Sequence, residues 1–176
     1  MTVVSAHFPV LTTAPLYLRV PAQADITACT RFWASDRSHM MGGPWTADRT
    51  AAEFQGLPGQ SAKYGFSLFN VTLKDSDDGI DGIGPFFPDT HPEPEPGQSL
   101  RDAADEAQGH AHEAATAARD RFFAATPHRT AVSHTDPANH RAHRLCERIG
   151  AVVDRHAAHP LGDAPTPTFR HHATAA

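Results

Sequence analysis

The chain is poor in cysteine, in lysine and in long apolar runs, and each shortage removes a class of protein. The two cysteines, Cys29 and Cys146, stand far apart and outside any C-x-x-C pair. A disulfide scaffold is therefore excluded and a reduced, cytoplasmic setting is expected. No run of about 18 apolar residues exists, so no membrane partner or membrane span is expected. Met1–Val10 lacks the basic start and apolar stretch of a secretory signal. Lysine is almost absent beside arginine and the formal net charge is −5. A nucleic-acid partner, which needs a clustered positive surface, is not expected. The 13 histidines include His110, His112, His140, His143, His171 and His172, but no H-E-x-x-H or Cys/His framework holds them, so no metal is expected. Ser99 and Ser133 lack a G-x-S-x-G setting, which leaves a hydrolase triad without support.

What is present is an ordinary globular composition. A chain of 176 residues with 40% apolar and 20% charged residues can bury one sizeable core. Residues 1–13 read as a loose tail and residues 14–172 as one domain. Leu16–Val20 alternates as a strand. Asp25 is placed to cap a helix through Ser35, with Ile26, Cys29, Phe32 and Trp33 inward. Gly42-Gly43-Pro44 breaks the chain, and a second helix is expected from Thr46 to Leu57. Strands follow at Phe66–Leu73 and Ile80–Phe87 around the turn Asp75–Gly79. Pro88–Pro96 reads as a loop and Gly97–Leu100 as a short strand. Ala111, Ala114, Ala115, Ala118 and Phe122 form one narrow, small-residue helix face that can approach a sheet closely. Thr130–Ser133 is a strand. Asp136-Pro137 then opens a helix that Gly150 ends. Ala151–Asp154 and Thr166–His171 close the chain as strands. The pattern predicts a mixed α/β sheet with helices on both faces.

The most informative local feature is Glu106-Ala107-Gln108-Gly109-His110-Ala111, set directly before the small-faced helix. A turn feeding a helix N-terminus presents unpaired N–H groups and a positive dipole end, which suits a pyrophosphate without basic side chains. On these six residues alone, a plain turn before a helix remains the alternative.

The segments LYLRVPAQADITACTRFWASD, GGPW, FSLFNVTLKDSDDGIDGIG, EAQGHAHEAATAARD and DPANHRAHRLCERIGA occur in one order between Leu16 and Ala151. In that order they resemble the GNAT superfamily, specifically the RimJ/RimL-like branch of N-acetyltransferases. The resemblance implies a sheet of about seven strands, splayed between the fourth and fifth, where acetyl-CoA inserts as co-substrate. The family pattern Q/R-x-x-G-x-G/A falls on Glu106, Ala107, Gln108, Gly109, His110 and Ala111, whose backbone amides would hold the pyrophosphate. Ser99, Leu100 and Arg101 would pair with the pantetheine arm. The implied activity is transfer of the acetyl group to an amine, a peptide N-terminus or a small molecule, by direct attack in a ternary complex. Relatives are often monomers or homodimers.

Three residues are candidates for the chemistry that the resemblance implies. Asn139 matches an asparagine that contacts the pantetheine or the transfer centre in similar enzymes; it could equally help its helix start. Glu95, before the fourth strand, is a candidate base, directly or through water; the alternative is a solvated carboxylate in the loop around Glu93. Ala142 stands where such proteins often carry a serine that protonates the leaving thiolate. Cys146, one turn onward, is a candidate substitute, with a buried structural cysteine as the alternative. Pro96, Gln98 and Arg101 depart from the residues expected around the fourth strand, and Ala107 replaces a frequent glycine, which is acceptable only at negative φ. Ala142 and the altered fourth strand favour a second reading, a catalytically weak or inactive GNAT-fold CoA-binding or regulatory module.

Overall fold

The computed structural model describes residues 9–162 and 164–173. Residues 1–8 of the expected tail lie outside that range, and its last part is ordered: Leu11–Thr12 form β1, which pairs antiparallel with β2 at Leu16–Arg19. Helix α1 spans Ile26–Trp33 and α2 spans Ala47–Tyr64, joined by a tight turn at Asp36–Met41. Strands β3 (Phe69–Leu73), β4 (Gly79–Phe86) and β5 (Glu95–Leu100) lead to α3 at His110–Ala125. Then come β6 (Thr130–His134), α4 (His140–Arg148), β7 (Val152–Val153) and β8 (Thr168–His172).

The strands form two sheets, β1-β2-β3-β4-β5 and β6-β8-β7. The division falls between β5 and β6, the strands expected as fourth and fifth. The mixed α/β architecture stands, and the described residues hold one strand more than the seven expected because β1 lies in the tail region. The alanine stripe does what its spacing dictates: Ala114, Ala115 and Ala118 pack on Leu16, Leu18, Phe69, Val71, Ile80 and Ile83. Small side chains let α3 lie close to the sheet and bury the apolar faces of β2, β3 and β4. A second cluster joins Phe66, Phe122 and Ala131, and a third joins Cys146, Ala151 and Phe169.

Three local expectations change. Helix α2 runs through Pro58, where the sequence predicted a stop. Pro58 is exposed, so water can serve the carbonyl that the missing N–H leaves unbonded. Asp25 does not cap α1; its carboxylate accepts from Arg19 at 2.7 and 2.9 Å, from the Ala22 amide at 2.6 Å and from Asn70 at 3.1 Å. Asp136 does not cap α4 either. It accepts from the Ala138 amide at 2.7 Å in a turn, and Asn139 caps the helix by accepting from the Ala142 amide at 3.1 Å.

Candidate active site

Among the described residues one backbone hydrogen bond joins the two sheets, from Val132 N to Pro94 O at 3.1 Å. Beside it the Ser133 hydroxyl donates to Pro96 O at 2.7 Å and the His134 amide donates to Glu95 Oε1 at 3.2 Å. Beyond Pro96 the strands part. In an antiparallel pair, alternate residues turn their N–H and C=O groups to opposite edges. The Ser99 amide donates to Asp81 Oδ1 at 3.1 Å and the Arg101 amide to Ile80 O at 2.9 Å, so both face β4. The amides of Gln98 and Leu100 therefore face the opening. Of the three residues expected to pair with a pantetheine arm, only Leu100 has its backbone on that side. Ser99 and Arg101 are committed to β4, and Gln98 takes their place. The Ser99 hydroxyl also turns to β4, donating to Gly82 O at 3.3 Å, and the Arg101 guanidinium lies over Gly79 beside Asn70.

At the C-terminal end of β5 the chain turns into α3. Gly109 occupies the N-cap with φ 83°, and the first ladder bond runs from Glu113 N to Gly109 O at 3.1 Å. The amides of His110, Ala111 and His112 thus have no partner inside the helix. The Glu106 amide is used, donating to Ala103 O at 3.1 Å. Ala107 has φ 61°, which contradicts the expectation of a negative value. The turn requires a left-handed residue here, and alanine adopts it with a steric penalty of about 1–2 kcal/mol. Gln108, Gly109, His110 and His112 border an open cavity of about 450 Å³ with Thr13, Pro15 and Arg148. The Glu106 carboxylate is ion-paired to Arg37 at 2.8 Å and to Arg141 at 2.5 Å.

Glu95 is not a loop carboxylate. It opens β5, is 8% exposed, and lies 3.1 Å through Oε2 from His91 Nε2. Its strand parity matches Ser99, so it faces the side of the sheet opposite Ile83 and α3. Asn139 spends its side-chain oxygen on the cap and keeps its amide nitrogen. Cys146 is buried in the cluster with Ala151 and Phe169, and burial pushes its thiol up to about 11 despite a hydrogen bond with Ser133. Ser133 and His171 Nε2 are 3.0 Å apart, and burial lowers that histidine to about 4. Asp81, 1% exposed, accepts from Gln98 Nε2 at 3.1 Å as well as from Ser99, and burial raises its carboxyl to about 7.

Sequence reasoning missed His91, Asp81, Arg37 and Arg141. Arg37 and Glu106 are 69 positions apart, and nothing local signals their pairing. Among the described residues, no group of three or more His, Cys, Asp or Glu side chains is placed to hold a metal ion, and no helix is long and apolar enough to cross a membrane.

A splayed sheet whose Gln98 and Leu100 amides face the opening, ending at a glycine-capped helix, is the geometry that the sequence resemblance anticipates. The acetyltransferase (GNAT) domain family matches residues 15–152. An acetyltransferase structure from Agrobacterium tumefaciens is 34% identical, covering 93% of this chain and 94% of its own, with a TM-score of 0.86. RimL, a ribosomal alpha-N-protein acetyltransferase solved with coenzyme A, shares the fold at 13% identity, with coverage of 94% and 98% and a TM-score of 0.74. An aminoglycoside acetyltransferase solved with coenzyme A does so at 16% identity, with coverage of 89% and 94% and a TM-score of 0.72. No curated protein sequence matches the chain. The extent of the domain match and the 34% identity over nearly the whole length place this chain in the GNAT acetyltransferase family.

Proposed function

We propose that the protein is a RimJ/RimL-like N-acetyltransferase that transfers an acetyl group from acetyl-CoA to an amine, a peptide N-terminus or a small molecule, by direct attack in a ternary complex. The observation that carries the reading is the free edge of β5, with the Gln98 and Leu100 amides unpaired beside the parted β6 and the α3 N-terminus at its end. These groups fit the co-substrate. Backbone donors spaced along an extended edge suit an amide-bearing arm, and the orphan amides of α3 suit a diphosphate. The bound co-substrate supplies a thioester carbonyl carbon to the amine nitrogen.

The chain's own residues perform the rest. An incoming amine must be neutral to attack, so a base must take its proton. Glu95 suits that role: its carboxylate lies on the face opposite α3, fixed by His91 and by the His134 amide. The free amides of β5 are donors for the oxygen on which charge develops. The Asn139 amide nitrogen, at the start of α4, is a further donor toward the bound arm. Cys146 remains the candidate acid: it keeps its proton at neutral pH and is linked to Ser133, while burial in its apolar cluster counts against ready proton release. The two free cysteines are compatible with a cytoplasmic setting.

A second reading, a CoA-binding module with weak or no turnover, is favoured by Ala142, which offers no hydroxyl beside Asn139. A thiol-release assay over a panel of amines and N-terminal peptides separates the two. The first reading expects release with at least one acceptor, and about tenfold or greater loss for Asn139→Ala. Calorimetric coenzyme binding without release from any acceptor leaves the second reading. Absence of binding removes both.

A further inference from the structure

Arg37 and Arg141 flank the mouth of the opening from elements distant in sequence. Arg37 lies in the turn between α1 and α2, and Arg141 in the first turn of α4. Glu106 sits between them. Its Oε1 accepts from Arg37 Nη2 at 2.8 Å and its Oε2 lies 2.5 Å from Arg141 Nη1. The same Arg37 nitrogen donates to Leu100 O at 3.2 Å, which ties the guanidinium to the last residue of the open β5 edge. The hydrogen bond from Arg37, aided by the charge of Arg141, holds the Glu106 carboxyl below the usual carboxylate range against partial burial. At neutral pH the three side chains carry two positive charges and one negative charge. They stand where the family pattern has glutamine or arginine in place of Glu106.

A diphosphate diester carries two negative charges where a carboxylate carries one, and it accepts bidentate arginine pairs. Arg141 is 73% exposed at its side chain, so it can change partners with little repacking. We propose that Arg37 and Arg141 are the cationic partners of the co-substrate's diphosphate, and that Glu106 is a built-in competitor that holds them until the diphosphate displaces it. The inference rests on the acetyl-CoA reading of this site. The exchange is non-covalent: arginine–carboxylate contacts open, arginine–phosphate contacts form, and the Glu106 carboxylate moves into water. Glu106 then sets how tightly the co-substrate is held and how fast the spent coenzyme leaves.

The test is a calorimetric titration of the full chain with coenzyme A, using wild type, Glu106→Gln, Arg141→Gln and the double variant. Thermal melts check that each folds, with Glu106→Ala as a second probe of the same position. Glu106→Gln is expected to bind about threefold to tenfold more tightly, the range that exposed ion pairs support. Arg141→Gln is expected to bind more weakly. In the Arg141→Gln background the gain from Glu106→Gln shrinks but does not vanish, because one of the two arginines it would release is gone and Arg37 remains. An equal gain in both backgrounds identifies a general charge effect and overturns the inference, as does unchanged or weaker binding by Glu106→Gln. A wild type that binds no coenzyme overturns the proposed function and this inference together; a binding wild type with an inert Glu106 overturns this inference alone.

Discussion

Asp81 gives the sharpest test of the physical description of the sheet. Its carboxyl is 1% exposed and accepts from the Ser99 amide and from Gln98 Nε2, each at 3.1 Å. Burial raises it from the ordinary 3.8 to about 7, outweighing those hydrogen bonds and the charge of Arg101. Between these two values the folded protein keeps a proton that the unfolded chain has released. The unfolded state binds fewer protons there, so stability falls as pH rises through the window. At about 1.4 kcal/mol per pH unit, the interval caps the effect at about 4 kcal/mol above pH 7. The attraction to Arg101 is already contained in that value, so neutralising the group gains at most about 4 kcal/mol at the alkaline end. Asp81→Asn keeps the shape: its amide oxygen can accept from Ser99, and Gln98 can turn its own oxygen toward the new amide nitrogen. Urea unfolding of both proteins from about pH 4 to about pH 8 should give nearly equal stability at the acid end and a more stable variant at the alkaline end. The difference between the proteins is the proper observable. His171 works the other way: buried and lowered to about 4, it loses stability as pH falls from 6.5 toward that value, and partly hides Asp81 in the wild-type profile alone. A difference that does not change with pH, or a variant less stable than wild type at about pH 8, refutes the assignment of a protonated buried carboxyl.

Other outcomes follow from the same geometry. Ala107→Gly relieves a left-handed alanine at φ 61° while loosening the unfolded chain, so denaturation should show a gain of about 0–1 kcal/mol where glycine ordinarily destabilises. A loss of about 1 kcal/mol or more contradicts that backbone conformation. In a Cys29→Ser background the thiol of Cys146, pushed up to about 11, should react with a disulfide reagent near pH 8 about 100-fold more slowly in the folded protein than in urea. Comparable rates would place it outside its apolar cluster. Glu95→Gln should lower turnover by about 100-fold or more while leaving coenzyme affinity within about twofold, because the carboxylate is assigned to the amine's proton and not to the co-substrate. A fall in coenzyme affinity of the same size moves Glu95 out of that role.

The parts of the fold legible in the sequence are those written in short-range periodicity. The alanine stripe of α3 and the alternation of Leu16 and Leu18 name their buried faces because helix and strand periods fix them. The start of α4 was not legible, although its chemistry was. Asp136-Pro137 and Asn139 both satisfy capping preferences, and only packing decides that the turn comes first and the helix waits for Asn139. The turn at Glu106–Ala111 was legible as a location and not as a conformation: alanine gives no sign of a positive φ, as glycine would. Glu95 was legible as a carboxylate near the strand, but its burial depends on His91 and on His134, a residue of the other sheet. Arginine pairing across the opening left no local trace.

Pro96 shows how a departure from a family pattern acquires a meaning only in three dimensions. In the sequence it counts against catalysis, since it removes a donor from the strand beside the site. By strand parity with Gln98 and Leu100, its nitrogen faces β6, not β4. A residue with an N–H there could extend the pairing that Val132 and Pro94 begin. Proline cannot donate, and its carbonyl is already taken by the Ser133 hydroxyl at 2.7 Å. Pairing between the sheets therefore stops at Pro96, and the next backbone groups on that edge, Gln98 and Leu100, are left with open amides. The missing donor helps to set the point from which the sheets part, and the residue that weakens the strand also defines the vertex of the cleft.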